Sequence, residues 1–123
     1  MSDQLVWQLV KKNHCFLVKR NGVQFSREPC NLTNANSYKY SGLRTKAVGL
    51  SEEDKKVVFT IRTPKAASTP AKNNRQHKLS RSMRRATKAV EFQTATRADL
   101  RKAAQARLAA LNASINARSK KIE

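Results

Sequence analysis

Apolar side chains near the start of the chain recur at the spacing of a helix. They are Leu5, Val6, Leu9 and Val10, with Trp7 beside them. Because Ser2 or Asp3 can cap a helix that starts here, the pattern predicts a short helix over residues 5–12 that buries its apolar face. Trp7 borders this face, which favours packing at the core for its ring over stacking on a nucleic-acid base.

Two runs rich in β-forming residues follow, over residues 15–20 and 23–27. Asn21 and Gly22 separate the runs, and both residue types tolerate the positive φ angles of a type I′ turn. This pattern predicts a β-hairpin. Pro29 ends the second strand, and the Asn-rich stretch 31–37 is typical of a loop.

The strand pattern returns after this loop. Residues 38–50 are compatible with further short strands, and the acidic stretch 51–54 predicts a polar turn. Val57, Phe59 and Ile61 then alternate with the residues between them, which predicts a strand that Pro64 ends.

The chain changes character at Pro64. From there to Lys78 no apolar residue is larger than alanine, so we expect a basic linker that does not pack on the core. A basic amphipathic helix is predicted next, and residues 96–99 resemble a capping box that opens a second one. The apolar positions of the two helices are Leu79, Met83, Ala86 and Val90, and then Leu100, Ala104, Leu108, Leu111 and Ile115.

These elements predict an α+β fold. We expect a small antiparallel sheet with a covering N-terminal helix in residues 1–63, an extended basic linker in residues 64–78, and two basic helices in residues 79–123. The chain is long enough for one compact domain of ordinary size and too short for two.

The charge of the chain points to a polyanionic partner. Lys and Arg number 26 against 8 acidic residues, a formal net charge of +18, whereas a net charge of roughly 2 to 8 in magnitude suffices to keep a small domain soluble. Residues 1–63 have a net charge of +6 and residues 64–123 a net charge of +12. Such an excess favours binding to nucleic acid, and we expect the second half to contribute most of the affinity.

Arginine exceeds lysine by 8 to 7 in residues 64–123, and its planar guanidinium suits phosphate contacts and stacking on unpaired bases, so RNA fits at least as well as DNA. For Tyr38 and Tyr40 the sequence leaves core packing and base stacking equally open. The candidate RNA-binding residues are Arg20, Arg27, Lys39, Arg44, Lys46, Arg62, Lys65, Lys72, Arg75, Lys78, Arg81, Arg84, Arg85, Lys88, Arg97, Arg101, Lys102 and Arg107.

The sequence offers no constellation for catalysis. His14 and His77 have no nucleophile or orienting acid at a motif spacing. Cys15 and Cys30 stand apart from any histidine pair, so we expect reduced structural cysteines and no metal site. The three glycines are isolated, which excludes the known phosphate-binding loops. We therefore expect no enzymatic activity, no cofactor and no small-molecule substrate.

Several strings of the sequence resemble one protein family. They are Phe25-Ser26-Arg27-Glu28-Pro29, Asn31-Leu32-Thr33, Asn36-Ser37-Tyr38-Lys39-Tyr40-Ser41-Gly42-Leu43 and Lys46-Ala47-Val48-Gly49, together with Leu5-Val6-Trp7, the run 16–21 and the run 97–104. The family is that of the eukaryote-specific large-subunit ribosomal protein numbered twenty-eight. The resemblance covers most of the chain outside the stretch 64–78.

The resemblance implies a structural component of the cytosolic ribosome that binds ribosomal RNA and neighbouring ribosomal proteins and passes through the nucleolus for assembly. It also implies that the protein has no catalytic role or cofactor.

Three other functions remain open on the sequence. A nucleolar assembly-factor family resembles the N-terminal part, although its members carry further cysteines and long acidic tails that this sequence does not contain. A DNA-binding or chromatin protein would have a similar charge, but no base-reading module is recognisable. A membrane-surface protein is disfavoured because the last helix is alanine-rich and lacks aromatic anchors.

Overall fold

The structure is a computed structural model that describes residues 2–63 and 69–122, except for the side chain of Pro70. Its helices and strands are α1 (Asp3–Val10), β1 (Leu17–Arg20), β2 (Val23–Ser26), β3 (Val48–Glu53), β4 (Lys56–Arg62), β5 (Asn74–Lys78), α2 (Met83–Gln93) and α3 (Arg101–Ile122). Short 3-10 segments lie at Pro70–Lys72 and Thr94–Leu100. The predicted α+β class is confirmed, with two antiparallel sheets in place of one.

The predicted hairpin is confirmed in position and turn type. β1 and β2 pair antiparallel, with Arg20 opposite Val23. The two residues of the turn, Asn21 and Gly22, have φ angles of 49° and 75°. Both lie in the left-handed region, as a type I′ turn requires.

The second sheet has the strand order β3-β4-β5. β3 and β4 are joined by a tight turn at Asp54 and Lys55, whose φ angles of 50° and 60° are both positive. The acidic turn predicted over 51–54 is therefore wrong in its position. Glu52 and Glu53 lie in β3, because a two-residue turn leaves them to pair with Val57 and Lys56.

β5 corrects the predicted linker. Residues 74–78 pair with β4 antiparallel, and the amide of Leu79 donates to the carbonyl of Val57 at 2.9 Å. An edge strand is held by backbone hydrogen bonds and tolerates charged side chains, so a segment without large apolar residues can still join a sheet. The first part of the predicted linker, Pro64 to Ser68, lies outside the described residues.

The core lies between the three-stranded sheet and the two C-terminal helices. Leu50 and Phe59 from the sheet form one buried cluster with Val90 of α2 and Leu108 and Ile115 of α3. Most of the predicted apolar positions are thus confirmed, with Leu79 and Leu100 buried just before the helices rather than in them. Met83 is the exception, because it is 41% exposed. The same cluster also contains Leu32 and Leu79, so it draws on both halves of the chain.

The N-terminal helix does not cover the sheet as predicted. None of the described side chains of α1 is buried, and Leu5 and Leu9 are 51% and 69% exposed. The apolar face of the sheet is instead covered by α3, whose 22 residues present the longer apolar stripe. α1 is attached to the loop before β3, where the Asp3 carboxylate accepts from the amide and hydroxyl of Thr45.

The loop between β2 and β3 packs on the other face of the sheet. A Cβ at Gly49 would lie 2.9 Å from the Cα of Cys30 and the carbonyl oxygen of Pro29, so only glycine permits this approach. The buried Glu28 carboxylate accepts from Asn31 Nδ2 at 3.2 Å, the Gly42 amide at 3.2 Å and Ser41 Oγ at 3.4 Å. One carboxylate thereby joins both ends of the loop.

The predicted capping box does not cap a helix. Arg97 has φ −134° and ψ 64°, which is outside the helical region, and α3 begins only at Arg101. The Asp99 carboxylate accepts from the Arg97 side chain. In a capping box this carboxylate would instead accept a hydrogen bond from a backbone amide at the start of the helix.

Candidate nucleic-acid interface

Most of the candidate RNA-binding residues are exposed. Lys65 lies outside the described residues, and Arg44, Arg62, Arg97 and Arg107 are at least partly buried. The exposed members are Arg20, Arg27, Lys39, Lys46, Lys72, Arg75, Lys78, Arg81, Arg84, Arg85, Lys88, Arg101 and Lys102.

Helix α2 brings three of these cations together. Ala86 and Val90 are buried in the core, which turns Arg84, Arg85 and Lys88 to the solvent side of the helix. Phe92, which is 79% exposed, lies one turn beyond Lys88 on the same side. We call Arg84, Arg85, Lys88 and Phe92 the α2 outer face.

Few of the cations are neutralised within the molecule. Among residues 2–63 and 69–122, the only ion pairs join Arg97 to Asp99 and Arg118 to Glu52. The acidic residue of α2, Glu91, accepts a hydrogen bond from the side-chain amide of Gln105 at 2.7 Å. The α2 outer face therefore presents positive charge with no ion-pair partner in the described part of the chain.

Strand β5 and the residues after it add cations at the sheet edge. Arg75 lies opposite Ile61 and Lys78 opposite Val58, so their side chains leave opposite faces of the sheet. Arg81 follows and is exposed. The two strand cations thus do not form one patch.

Arg97 is a structural residue as well as a candidate contact. Its side chain is buried, its Nε donates to Asp99 at 3.1 Å, and its second terminal nitrogen donates to the carbonyl of Lys39 at 3.0 Å. The hydrogen bond from Arg97 holds the pKa of the Asp99 carboxyl below its ordinary value. Arg97 therefore connects the segment before α3 to the loop that contains Lys39.

Two more of the predicted arginines bond to backbone carbonyls. Arg107 donates to the carbonyls of Leu50 and Leu32, both at 3.0 Å, and its burial lowers the pKa of the guanidinium from the ordinary value. Arg62 donates to the carbonyl of Gly42 at 2.9 Å. The sequence did not predict these internal roles, because the alternation of charge along a helix or strand does not reveal which carbonyls lie nearby.

The aromatic residues divide into two environments. Tyr40 packs against the core cluster with Lys39 Nζ 5.3 Å from its ring centre. The rings of Trp7 and Tyr38 lie 6.2 Å apart at an angle of 53°, and the guanidinium carbon of Arg44 lies 4.2 Å from the Tyr38 ring centre. The sequence favoured packing of Trp7 at the core or at its edge. In the structure Trp7 is half-buried and lies outside the core cluster.

The remaining polar groups do not assemble into a reactive site in the part of the chain that the structure describes. No group of three potential metal ligands occurs in residues 2–63 and 69–122. Both cysteines are free, Cys15 is exposed, and burial raises the pKa of the Cys30 thiol. In the same residues, no helix combines the length and the apolar character needed to cross a membrane.

Comparison with known proteins gives a consistent family assignment. Residues 5–114 match the family described as the Ribosomal L28e protein family. The chain is similar to three proteins named large ribosomal subunit protein eL28. It is 39% identical to that of Caenorhabditis elegans (85% of this chain, 86% of the relative), 39% to that of Schizosaccharomyces pombe (71% and 69%) and 42% to that of Dictyostelium discoideum (61% and 58%).

Proposed function

Because the chain belongs to the Ribosomal L28e protein family, we propose that it is a structural constituent of the large subunit of the cytosolic ribosome. There it binds ribosomal RNA and neighbouring ribosomal proteins. Its family is one of structural proteins without enzymatic activity.

The observation that supports RNA binding most strongly is the α2 outer face. Its three cations are exposed, have no ion-pair partner among the described residues, and lie beside an aromatic ring that is almost fully in solvent. Cations contact phosphates, and aromatic rings stack on unpaired bases. Exposed cations beside an exposed ring therefore suit an RNA partner.

Arg20, Arg27, Lys46, Lys72, Arg101 and Lys102 are proposed as further phosphate contacts on the basis of their exposure. Arg62, Arg97 and Arg107 are the least suited to this role, because each already donates to a carbonyl within the molecule. A guanidinium has five N–H donors, so a further phosphate contact is compatible with the internal bonds of the partly exposed Arg62 and Arg107. It is not compatible with the position of Arg97, whose remaining terminal nitrogen is buried.

Sedimentation tests the proposal. The tagged full chain is expressed in a eukaryotic cell, and the cytosolic extract is separated on a sucrose gradient in high salt. We expect the protein to sediment with the large subunit and with translating ribosomes. Absence from all ribosomal fractions would contradict the proposal. Restriction to nuclear precursor particles would favour an assembly factor.

We further propose that the protein passes through the nucleolus on its way to the cytosolic ribosome, since ribosomal RNA is the partner. Imaging of the tagged chain during a block of precursor RNA synthesis tests this step. The nucleolar signal is expected to fade while the cytosolic signal persists, and a nucleolar signal that never appears would contradict the step.

A further inference from the structure

A cavity lies between α1 and Tyr38, away from the α2 outer face. It has a volume of about 570 Å³ and is widely open to solvent. Its lining residues are Ser2, Gln4, Leu5, Trp7, Gln8 and Tyr38. Small-molecule sites combine apolar walls with a few polar groups in this range of volume.

The lining fits a nucleobase in its chemistry. Trp7 and Tyr38 both line the cavity and their rings lie 6.2 Å apart, so together they offer an aromatic wall on which a base can stack. Each glutamine amide both donates and accepts hydrogen bonds, as the edge of an unpaired base requires. Gln8 Oε1 already accepts from Lys11, so the groups offered to a base edge are the Gln8 Nε2 donors and the Gln4 amide.

The charges at the rim suit the phosphates of such a nucleotide. The Arg44 guanidinium lies 4.2 Å from the Tyr38 ring centre, and Lys11 Nζ donates to Gln8 Oε1 at 2.6 Å. The one carboxylate of α1, that of Asp3, is bonded to Thr45. The cavity is thus lined by uncharged groups and bordered by cations.

We propose that this cavity binds one unpaired base of RNA, which stacks on the aromatic wall of Trp7 and Tyr38 and bonds through its edge to Gln4 and Gln8. The proposal deepens the proposed function and rests on it for the nature of the polyanion. It adds a site that recognises a base, whereas the α2 outer face contacts the RNA backbone.

Trp7 gives a direct test, because it is the only tryptophan of the chain. The full chain is titrated with a five-residue oligoadenylate, and the tryptophan fluorescence is recorded. A matched oligonucleotide of the same length and charge, abasic throughout, serves as the second probe. We expect the oligoadenylate to quench the fluorescence at saturation and to bind at least about fivefold more tightly than the abasic probe, since one stacked base contributes about 1–3 kcal/mol.

Two variants complete the test. Tyr38→Ala should weaken oligoadenylate binding about fivefold or more with little effect on the abasic probe. Phe25→Ala, which removes an exposed ring of β2 outside both the cavity and the α2 outer face, should leave the quenching unchanged. Equal binding and equal quenching by the two probes with the unaltered protein would overturn the proposal. So would an unchanged fluorescence under conditions in which the chain binds a ribosomal RNA fragment.

Failure of the cavity proposal can be distinguished from failure of the proposed function. If the cavity does not bind a base, Tyr38→Ala still sediments with the large subunit as the unaltered chain does. If the chain is not a ribosomal constituent, sedimentation fails regardless of the fluorescence result.

Discussion

Three arginines stabilise the fold through hydrogen bonds to backbone carbonyls. Arg62, Arg97 and Arg107 each donate to a carbonyl in the loop between β2 and β3, at Gly42, Lys39 and Leu32 respectively. That loop has few regular backbone partners of its own, so the guanidinium groups satisfy carbonyls that would otherwise be unpaired. These three arginines thus contribute to the fold as well as to the net charge.

Replacement of Arg107 tests this role at one residue. Arg107→Gln leaves the carbonyls of Leu50 and Leu32 without their donors, and we expect the free energy of unfolding in urea to fall by about 1–3 kcal/mol. Arg101→Gln makes the same change of charge on the same helix at an exposed position, and should change stability by less than about 0.5 kcal/mol. Equal losses in the two variants would show that Arg107 acts only through net charge.

The pair of Arg97 and Asp99 predicts a dependence on pH. The pKa of Asp99 is lowered in the folded state, so its ionised form stabilises the fold above the unfolded pKa, and this contribution disappears as the pH falls through the folded pKa. The stability difference between the unaltered chain and Asp99→Asn should therefore be largest near neutral pH and shrink below about pH 4. The effect will be modest because the carboxylate is largely exposed. Urea unfolding at a series of pH values measures it, and a difference that stays constant with pH would refute it.

At the scale of elements, α2 has two different faces. Ala86 and Val90 hold its inner side in the core, whereas the α2 outer face, for which RNA binding is proposed, is exposed. Substitution of the outer cations should therefore alter RNA binding while leaving the fold intact.

The triple variant Arg84→Glu, Arg85→Glu, Lys88→Glu tests this separation. Each phosphate contact contributes about 0.7 to 0.9 to the slope of log affinity against log salt, so the loss of three contacts should reduce the slope by about 2 to 3 for a ribosomal RNA fragment. Filter binding at several salt concentrations provides the measurement.

A matched variant changes the same net charge elsewhere. Lys12→Glu, Lys55→Glu, Lys56→Glu alters three exposed lysines outside α2. It should reduce the slope by less than half as much. Equal reductions by the two variants would mean that net charge alone, and no particular face, determines the affinity.

The elements that the sequence predicted well are those with a local cause. Asn21 and Gly22 require only their own φ angles to form the turn, and the stripe of α3 is visible in the spacing of Ala104, Leu108 and Ile115. β5 could not be predicted from its own residues, because its only stabilisation is a ladder with β4 that lies earlier in the chain. For α1 the spacing of apolar residues correctly predicted a helix. The same spacing does not reveal whether α1 or α3 covers the sheet.

In the candidate site, too, only the features with a local cause could be predicted. The cations of α2 follow from helical spacing, since the apolar positions fix which side faces solvent. The cavity beside Trp7 depends on a contact between residues 7 and 38, and the internal roles of Arg97 and Arg107 depend on contacts over 58 and 75 positions. Such long-range contacts leave no periodic signal in a single sequence.

At the scale of the whole molecule, one core joins both halves of the chain. The side chains of Leu50 and Phe59 pack with those of Val90, Leu108 and Ile115, and β5 completes the sheet. A fragment that ends at residue 63 would expose this apolar surface and one edge of β4.

We therefore predict that the fragment 1–63 does not fold alone. It should give no cooperative transition in urea, and its amide proton spectrum should be poorly dispersed, whereas the full chain should unfold in one step. A cooperative transition of the fragment with a β-type circular dichroism spectrum would instead support a self-sufficient N-terminal domain.

The position of α3 also affects how the molecule is made. The chain is synthesised from its N-terminus, so β3 and β4 emerge well before Leu108 and Ile115, which cover Leu50 and Phe59. During that interval a nascent chain exposes an apolar sheet face together with a large excess of positive charge, a combination prone to aggregate with nucleic acid. The core can therefore close only after α3 has been synthesised, and until then the nascent chain keeps both features exposed.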